Sequence, residues 1–286
     1  MAFFFSMGSL GALLGNLVPG FLAIKLGSQT LFYFTLIFYA AIFLFYYLAT
    51  KHSELPKTNE DFKKCMFKGY NEEGQESKSG FTLFRRSKFL VFILLLVVFM
   101  QLAVALMYYQ FNFYLEQAFP TADLRSEFSG KLQGAINAFA ILFQLIGGFI
   151  LVHFLGLKKC HILVPFSFLL NGLLFFFKPA FTMASYFYAY IKATDFCFFS
   201  LIREMLFLPL SLDEKYRAKA IIDVFAYRTA RAAASLLLLA LQFFSRNVLS
   251  TLTVVNLFIF SLWIMMVYKM FQTQSFEITS RQAENG

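Results

Sequence analysis

From Phe89 to Leu115 the chain carries no charged residue, and this run limits the available folds more than any other feature. A hydrocarbon core about 30 Å thick is crossed by about 20 apolar residues of helix. In lipid the backbone N–H and C=O groups find no water, so a spanning segment must satisfy them within a helix or a closed barrel. Barrel strands alternate apolar and polar residues over about ten positions. Phe89–Met100 reads FLVFILLLVVFM and does not alternate, so helix is the remaining solution.

The same reasoning predicts spans over Ala2–Ile24, Thr30–Thr50, Phe89–Leu115, Leu132–Leu157, Ile162–Phe177, Ala180–Ile202, Ala220–Phe243 and Val248–Met270. The expected fold class is therefore all-α, a polytopic transmembrane bundle of about eight helices. Composition agrees. Hydrophobic residues make up 59% and charged residues 14% of the chain, whereas a soluble domain carries about 25% charged residues. Forty-two phenylalanines suit surfaces whose solvent is acyl chain. The chain enters an apolar run at Ala2 and meets its first charge at Lys25, which reads as a membrane helix, since no positive n-region of a signal peptide precedes it.

The basic residues define topology. The segment 51–88 carries nine Lys/Arg and six Asp/Glu and reads as a solvated loop. With Lys158, Lys159, the 203–219 connection and the C-terminus, its side of the membrane holds 17 Lys/Arg, against five on the other side. Cytoplasmic loops concentrate Lys and Arg, so both termini and the long loop are expected in the cytoplasm of an inner-membrane protein. The expected organisation is two helices in 1–50, a cytoplasmic loop in 51–88, a six-helix half-bundle in 89–270 and a cytoplasmic tail in 271–286. The net charge of +9 follows from this topology, and no nucleic-acid partner is expected. Cys65, Cys160, Cys197 and the three histidines lack metal-ligand spacing, and no phosphate-binding or dinucleotide fingerprint occurs. No cofactor, metal or catalytic constellation is expected, and the chain is not read as an enzyme.

Ionisable residues inside spans are the candidate functional groups. At a helix centre each costs about 2.5–3.5 kcal/mol on insertion scales, so most of them should face the bundle interior, a partner or water. Lys192 and Asp195, three positions apart, are placed to pair. Asp223, Tyr227 and Arg231 fall in one helical sector, flanked by Arg228. Structural ion pairs and a polar cavity for a charged solute both fit these residues. Two arginines beside one aspartate leave positive charge available, and guanidinium forms bidentate contacts with phosphate and carboxylate. The expected solute is thus a small anion. Gly8, Gly11, Gly15 and Gly20 run along the first span, where small residues let helices approach closely. Ala230, Ala232, Ala233 and Ala234 are expected to do the same beside the arginines. Gln101, Gln110, Asn112, Asn137, Gln144 and Asn171 read as interhelical hydrogen-bonding groups, with the lining of a pathway as the alternative.

A long loop followed by six helices resembles the second half of a major facilitator transporter, in which two six-helix halves enclose the substrate site. On that template the chain supplies helices five to twelve. The stretch Arg203–Ser235, REMLFLPLSLDEKYRAKAIIDVFAYRTARAAAS, resembles the bacterial and plastid ATP:ADP antiporter family through Arg203-Glu204, Leu208-Pro209-Leu210, Lys219-Ala220 and Ile222-Asp223-Val224. Leu115–Thr121 and Phe128-x-Gly130-Lys131 look like that family's connection after its seventh helix. The resemblance implies secondary transport of an anionic solute, with ATP:ADP or other nucleotide exchange as the family activity. It also implies a functional basic residue after the Ile-Asp-Val element, here Arg231. Substrate binding is accordingly assigned to Arg231, Arg228, Lys192 and Tyr227, and gating or ion pairing to Asp195, Asp223, Arg203 and Glu204. The alternative is a truncated transporter remnant acting as a membrane scaffold or partner subunit. The expected partners are the bilayer, the solute and a separate chain supplying the four helices that the template places first.

Overall fold

The computed structural model describes residues 2–52, 84, 87–143, 153–208 and 218–284, with side-chain surroundings from Leu10 onward and as far as Gln272. Most of the charged loop, Gln144, Gly147, Gly148 and the Pro209-Leu210 element lie outside the described residues. The helices are α1 (Ala2–Leu26), α2 (Ser28–His52), α3 (Lys88–Ala118), α4 (Ala122–Leu142), α5 (Leu157–Phe177), α6 (Phe181–Thr194), α7 (Ser200–Leu206), α8 (Tyr227–Phe244) and α9 (Val248–Glu284). A π-helical turn, Asp195–Phe199, joins α6 to α7 in one rod. A second, Ile222–Ala226, leads into α8. Among the described residues the chain thus forms eight rods, matching the eight expected spans, and no strand.

Five stretches are long and apolar enough to cross a membrane by length and composition: Ser28–Lys51, Lys88–Ala118, Leu157–Phe177, Ala218–Phe244 and Val248–Gln272. The others carry the glycines, charges and π-turn that shape the bundle. Two boundaries differ most from the sequence reading. The fourth helix begins at Ala122, not Leu132, because Thr121 caps it: its Oγ1 accepts from the Leu124 N–H at 3.4 Å, with Asp123 in the first turn. Pro120 and the acidic start that read as loop are a helix-start signal. The last helix continues to Glu284, past Met270, since no Gly or Pro interrupts Phe271–Glu284.

α3 is the hub. It packs on α6, α8 and α9, and its buried residues include Leu90, Ile93, Leu96, Val97, Met100, Val104, Met107 and Phe111. That set is wider than a single stripe, as a helix enclosed by neighbours requires. Polar groups lock α3 to α9: Gln110 Nε2 donates to Thr253 Oγ1 at 2.9 Å and to the Leu249 carbonyl at 3.1 Å. Trp263 on α9 is fully buried against Phe99, Phe168 and Phe199.

α1 lies against α4 at backbone contact. A Cβ on Gly130 would meet Gly20 N at 2.5 Å and the Asn16 carbonyl oxygen at 2.8 Å; one on Gly20 would meet Lys131 N at 2.9 Å. The close approach expected of the first-span glycines is therefore made by Gly20 alone among those described, since Gly11 and Gly15 have nothing within 4 Å. Of the alanines on α8, Ala230 and Ala234 are buried while Ala232 and Ala233 are exposed. Gly27, at φ +79°, makes the turn from α1 to α2. Among the residues whose side-chain surroundings are described, α2 has none buried. Its start is held by Asp123, whose Oδ1 accepts from Ser28 N at 2.7 Å and from Ser28 Oγ at 2.5 Å.

Candidate functional site

The two π-turns bring the ionisable residues of the sixth and seventh rods together. A π-turn inserts extra backbone into one turn and shifts the register of the residues beyond it, and such turns recur at functional sites. Asp195 begins the first and Asp223 lies in the second. Between them sits Arg203, whose side chain is only 8% exposed. Its Nη1 donates to Tyr227 Oη at 2.7 Å and lies 3.6 Å from Asp223 Oδ1, while its Nη2 lies 3.7 Å from Glu204 Oε1. The guanidinium carbon is 5.8 Å from the Tyr227 ring centroid. Glu204 in turn accepts from Lys219 Nζ at 2.8 Å. The result is a balanced network of two cations and two carboxylates spanning α7 and the start of α8. Among the described residues Arg203 Nε is buried with no hydrogen-bond partner.

Asp195 is buried one level away. Gln101 on α3 donates to its Oδ2 at 3.4 Å, and Lys192, Arg203 and Arg231 all act on it electrostatically. The pairing of Lys192 with Asp195 that their spacing predicts is not formed: among the described residues they make no ion pair within 4.0 Å. The Asp195 N–H still bonds the Ile191 carbonyl, so the backbone keeps α-helical spacing up to Asp195, and it is the Lys192 side chain that turns away, its ammonium lying over Phe196 4.8 Å from the ring centroid. Lys192 and Arg231 are within electrostatic reach of each other. Arg228 and Arg231 are exposed on α8 and make no ion pair among the described residues.

The expected sector of Asp223, Tyr227 and Arg231 is thereby split. Asp223 and Tyr227 turn to Arg203, while Arg231 acts electrostatically on Lys192 and Asp195. In the sequence Arg203 and Glu204 stand at the edge of a connection; in the structure Arg203 is a buried centre. Lys219 and Gln101 complete the arrangement. The sequence marks Lys219 only as part of a motif and Gln101 only as one polar residue among several, because neither carries a charge pattern that singles it out. Chemically, the cluster offers a neutral network around the buried Arg203, next to two cations, Lys192 and Arg231, that act electrostatically on one buried carboxylate, with Arg228 on the same helix as Arg231.

A helical bundle of this kind, with charges gathered where two rods depart from regular α-helix, is a membrane-transporter architecture. The family profile of the Major Facilitator Superfamily matches residues 1–207, and the chain belongs to that superfamily as a multi-pass membrane protein. It is similar to ADP,ATP carrier protein 1 of Chlamydia pneumoniae, 24% identical over 216 residues, covering 68% of this chain and 42% of that protein. It is also similar to ADP,ATP carrier protein 1 of Chlamydia trachomatis serovar D, 26% identical over 180 residues, covering 55% of this chain and 34% of that protein. The chain thus spans less than half the length of the curated relatives it matches. No solved structure matches it.

Proposed function

We propose that the protein is a secondary transporter that moves an anionic solute by alternating access, and that the solute is a nucleotide exchanged as ATP for ADP. One observation carries the reading: Lys192 and Arg231 both act electrostatically on a single buried carboxylate, Asp195, with no ion pair within 4.0 Å among the described residues, so positive charge around it exceeds negative. An anion entering the site replaces the missing counter-charge. The similarity to carriers named for ADP and ATP supports nucleotide as the anion.

In this reading Arg231 and Arg228 bind the phosphates and Lys192 adds a third cation. Tyr227, held by Arg203, fixes the start of α8 that carries both arginines. Asp195 balances Lys192 and Arg231 only at a distance when the anion is absent, so the cations gain close partners as the solute enters. Arg203, Asp223, Glu204 and Lys219 form a gate whose pairs open or close between the two rods. Both termini lie in the cytoplasm, and the protein resides in an inner membrane.

The test is counterflow. Proteoliposomes loaded with ADP should take up labelled ATP, and Arg231→Ala should reduce that uptake at least about tenfold, the scale of removing one charge-assisted hydrogen bond from a desolvated site. Uptake unchanged in Arg231→Ala removes Arg231 from the site. No counterflow by the native chain favours the second reading, a scaffold or partner subunit, which draws on α2 presenting no buried residue.

A further inference from the structure

α3 and α6 run antiparallel with a register that repeats. Gln101 faces Asp195, and Tyr108, two turns further along α3, meets Tyr188, two turns back along α6, with ring centroids 5.6 Å apart. Residues two turns apart share a helix face and stand about 10 Å apart along the axis. Lys192 lies between Tyr188 and Asp195 on that same face, one turn from each. A single stripe therefore runs from an aromatic pair, past a lysine, to the buried carboxylate that Arg231 also acts on.

The two tyrosines differ. Tyr188 is 1% exposed and anchored: Gln133 Nε2 on α4 donates to its Oη at 2.6 Å, and Phe111 stacks on its ring at 4.6 Å with the planes 10° apart. Tyr108 is 50% exposed. Its ring is thus backed by a fixed aromatic wall while its own surface remains open, on a stripe whose next position is cationic. Aromatic side chains fixed in this way stack nucleobases without regard to base identity, since every base has a π-face.

We infer that the open ring of Tyr108, backed by Tyr188, is the stacking surface for the base of a nucleotide whose phosphates lie towards Lys192 and Arg231. The inference rests on the anion-transport reading and adds to it that recognition is bipartite, with base and phosphate held about one to two helical turns apart. It predicts that the site distinguishes a nucleotide from a bare polyphosphate.

The experiment measures binding of two probes, ATP and inorganic triphosphate, to the full chain in lipid nanodiscs. Tyr108→Ala should weaken ATP binding roughly 10- to 100-fold, the range expected for one base–aromatic stack. It should leave triphosphate binding unchanged, which also shows that the variant is folded. Tyr108→Phe keeps the ring and should bind ATP as the native chain does. ATP binding that is unaltered in Tyr108→Ala, or triphosphate binding weakened in parallel with ATP, overturns the inference. The anion reading fails separately: it falls if Arg231→Ala and Lys192→Ala leave triphosphate binding intact, or if the native chain binds neither probe, in which case the base subsite falls with it.

Discussion

Arg203 and Asp123 show how much a single side chain decides in this protein. Arg203 gathers Tyr227, Asp223 and Glu204 into one network, and nothing in its sequence neighbourhood marks it as buried: it stands beside Glu204 in a stretch whose charge density reads as connection. The intramembrane charges themselves were legible, because a charge among apolar residues is costly wherever it sits. Their partners were not, because pairing depends on two π-turns that shift the register between Asp195 and Arg231. Asp123, outside the spans, carries the pH-sensitive contact. Two hydrogen bonds from Ser28 hold its carboxyl below the ordinary value of 3.8. A depressed carboxylate contributes stability above its unfolded pKa and loses it as the pH falls through the folded value. The joint between α2 and α4 should therefore be intact at neutral pH and open only below about pH 3.8. Asp123→Ala, which removes the acceptor, should open it at neutral pH. Hydrogen exchange at the start of α2 is the measurement: faster exchange is expected in Asp123→Ala at pH 7, and identical exchange would remove Asp123 as the anchor.

At the scale of elements, the crossing of α1 and α4 is the sharpest constraint. The glycine stripe of α1 is visible in the sequence as a packing surface, but which glycine meets a partner is not, since a stripe has the same spacing along its whole length. The partner glycine, Gly130, sits on a helix whose first turns read as loop. Gly130→Ala puts a methyl group 2.5 Å from a backbone nitrogen, which no rotamer relieves, and should cost about 1–3 kcal/mol as an overpacked contact. Gly134→Ala meets only the flexible end of Leu17 at 3.1 Å and should cost less. Gly11→Ala, with nothing within 4 Å, should be neutral or should stabilise α1 by up to about 1 kcal/mol through helix propensity. Melting temperatures in detergent should accordingly rise from Gly130→Ala through Gly134→Ala to Gly11→Ala, and a Gly130→Ala protein as stable as the native one would refute the crossing.

For the whole molecule, the run from Phe89 to Leu115 announced the class, and the structure makes it the centre as well. A helix with no charge from Phe89 to Leu115 can be surrounded over that stretch, and α3 is packed by neighbours on several sides. The eight rods were legible because lipid imposes a length and a hydrophobicity on each. The way they group was less so, because van der Waals packing between apolar faces leaves little pattern in a sequence already apolar all round. Trp263, the only tryptophan, reports on this assembly. It is fully buried among rings from α3, α5 and the first π-turn. Its fluorescence should be blue-shifted and protected from acrylamide in the folded bundle, and both properties should be lost in one cooperative step as the bundle is unfolded in denaturing detergent. Quenching of the native protein as strong as that of free tryptophan would contradict the packing.

The latch between Ser28 and Asp123 has a mechanical meaning. α2 leaves the bundle from a glycine turn and one polar joint, and from Leu31 to Lys51 none of its side chains is buried. A rod pinned at one end takes its slope from its surroundings. A helix with a long apolar stretch accommodates a thin bilayer by tilting, and α2 has no enclosing side chains to resist it. Its inclination should track the thickness of the membrane, steep in a thick bilayer and shallow in a thin one, while the bundle built on α3 keeps its own geometry.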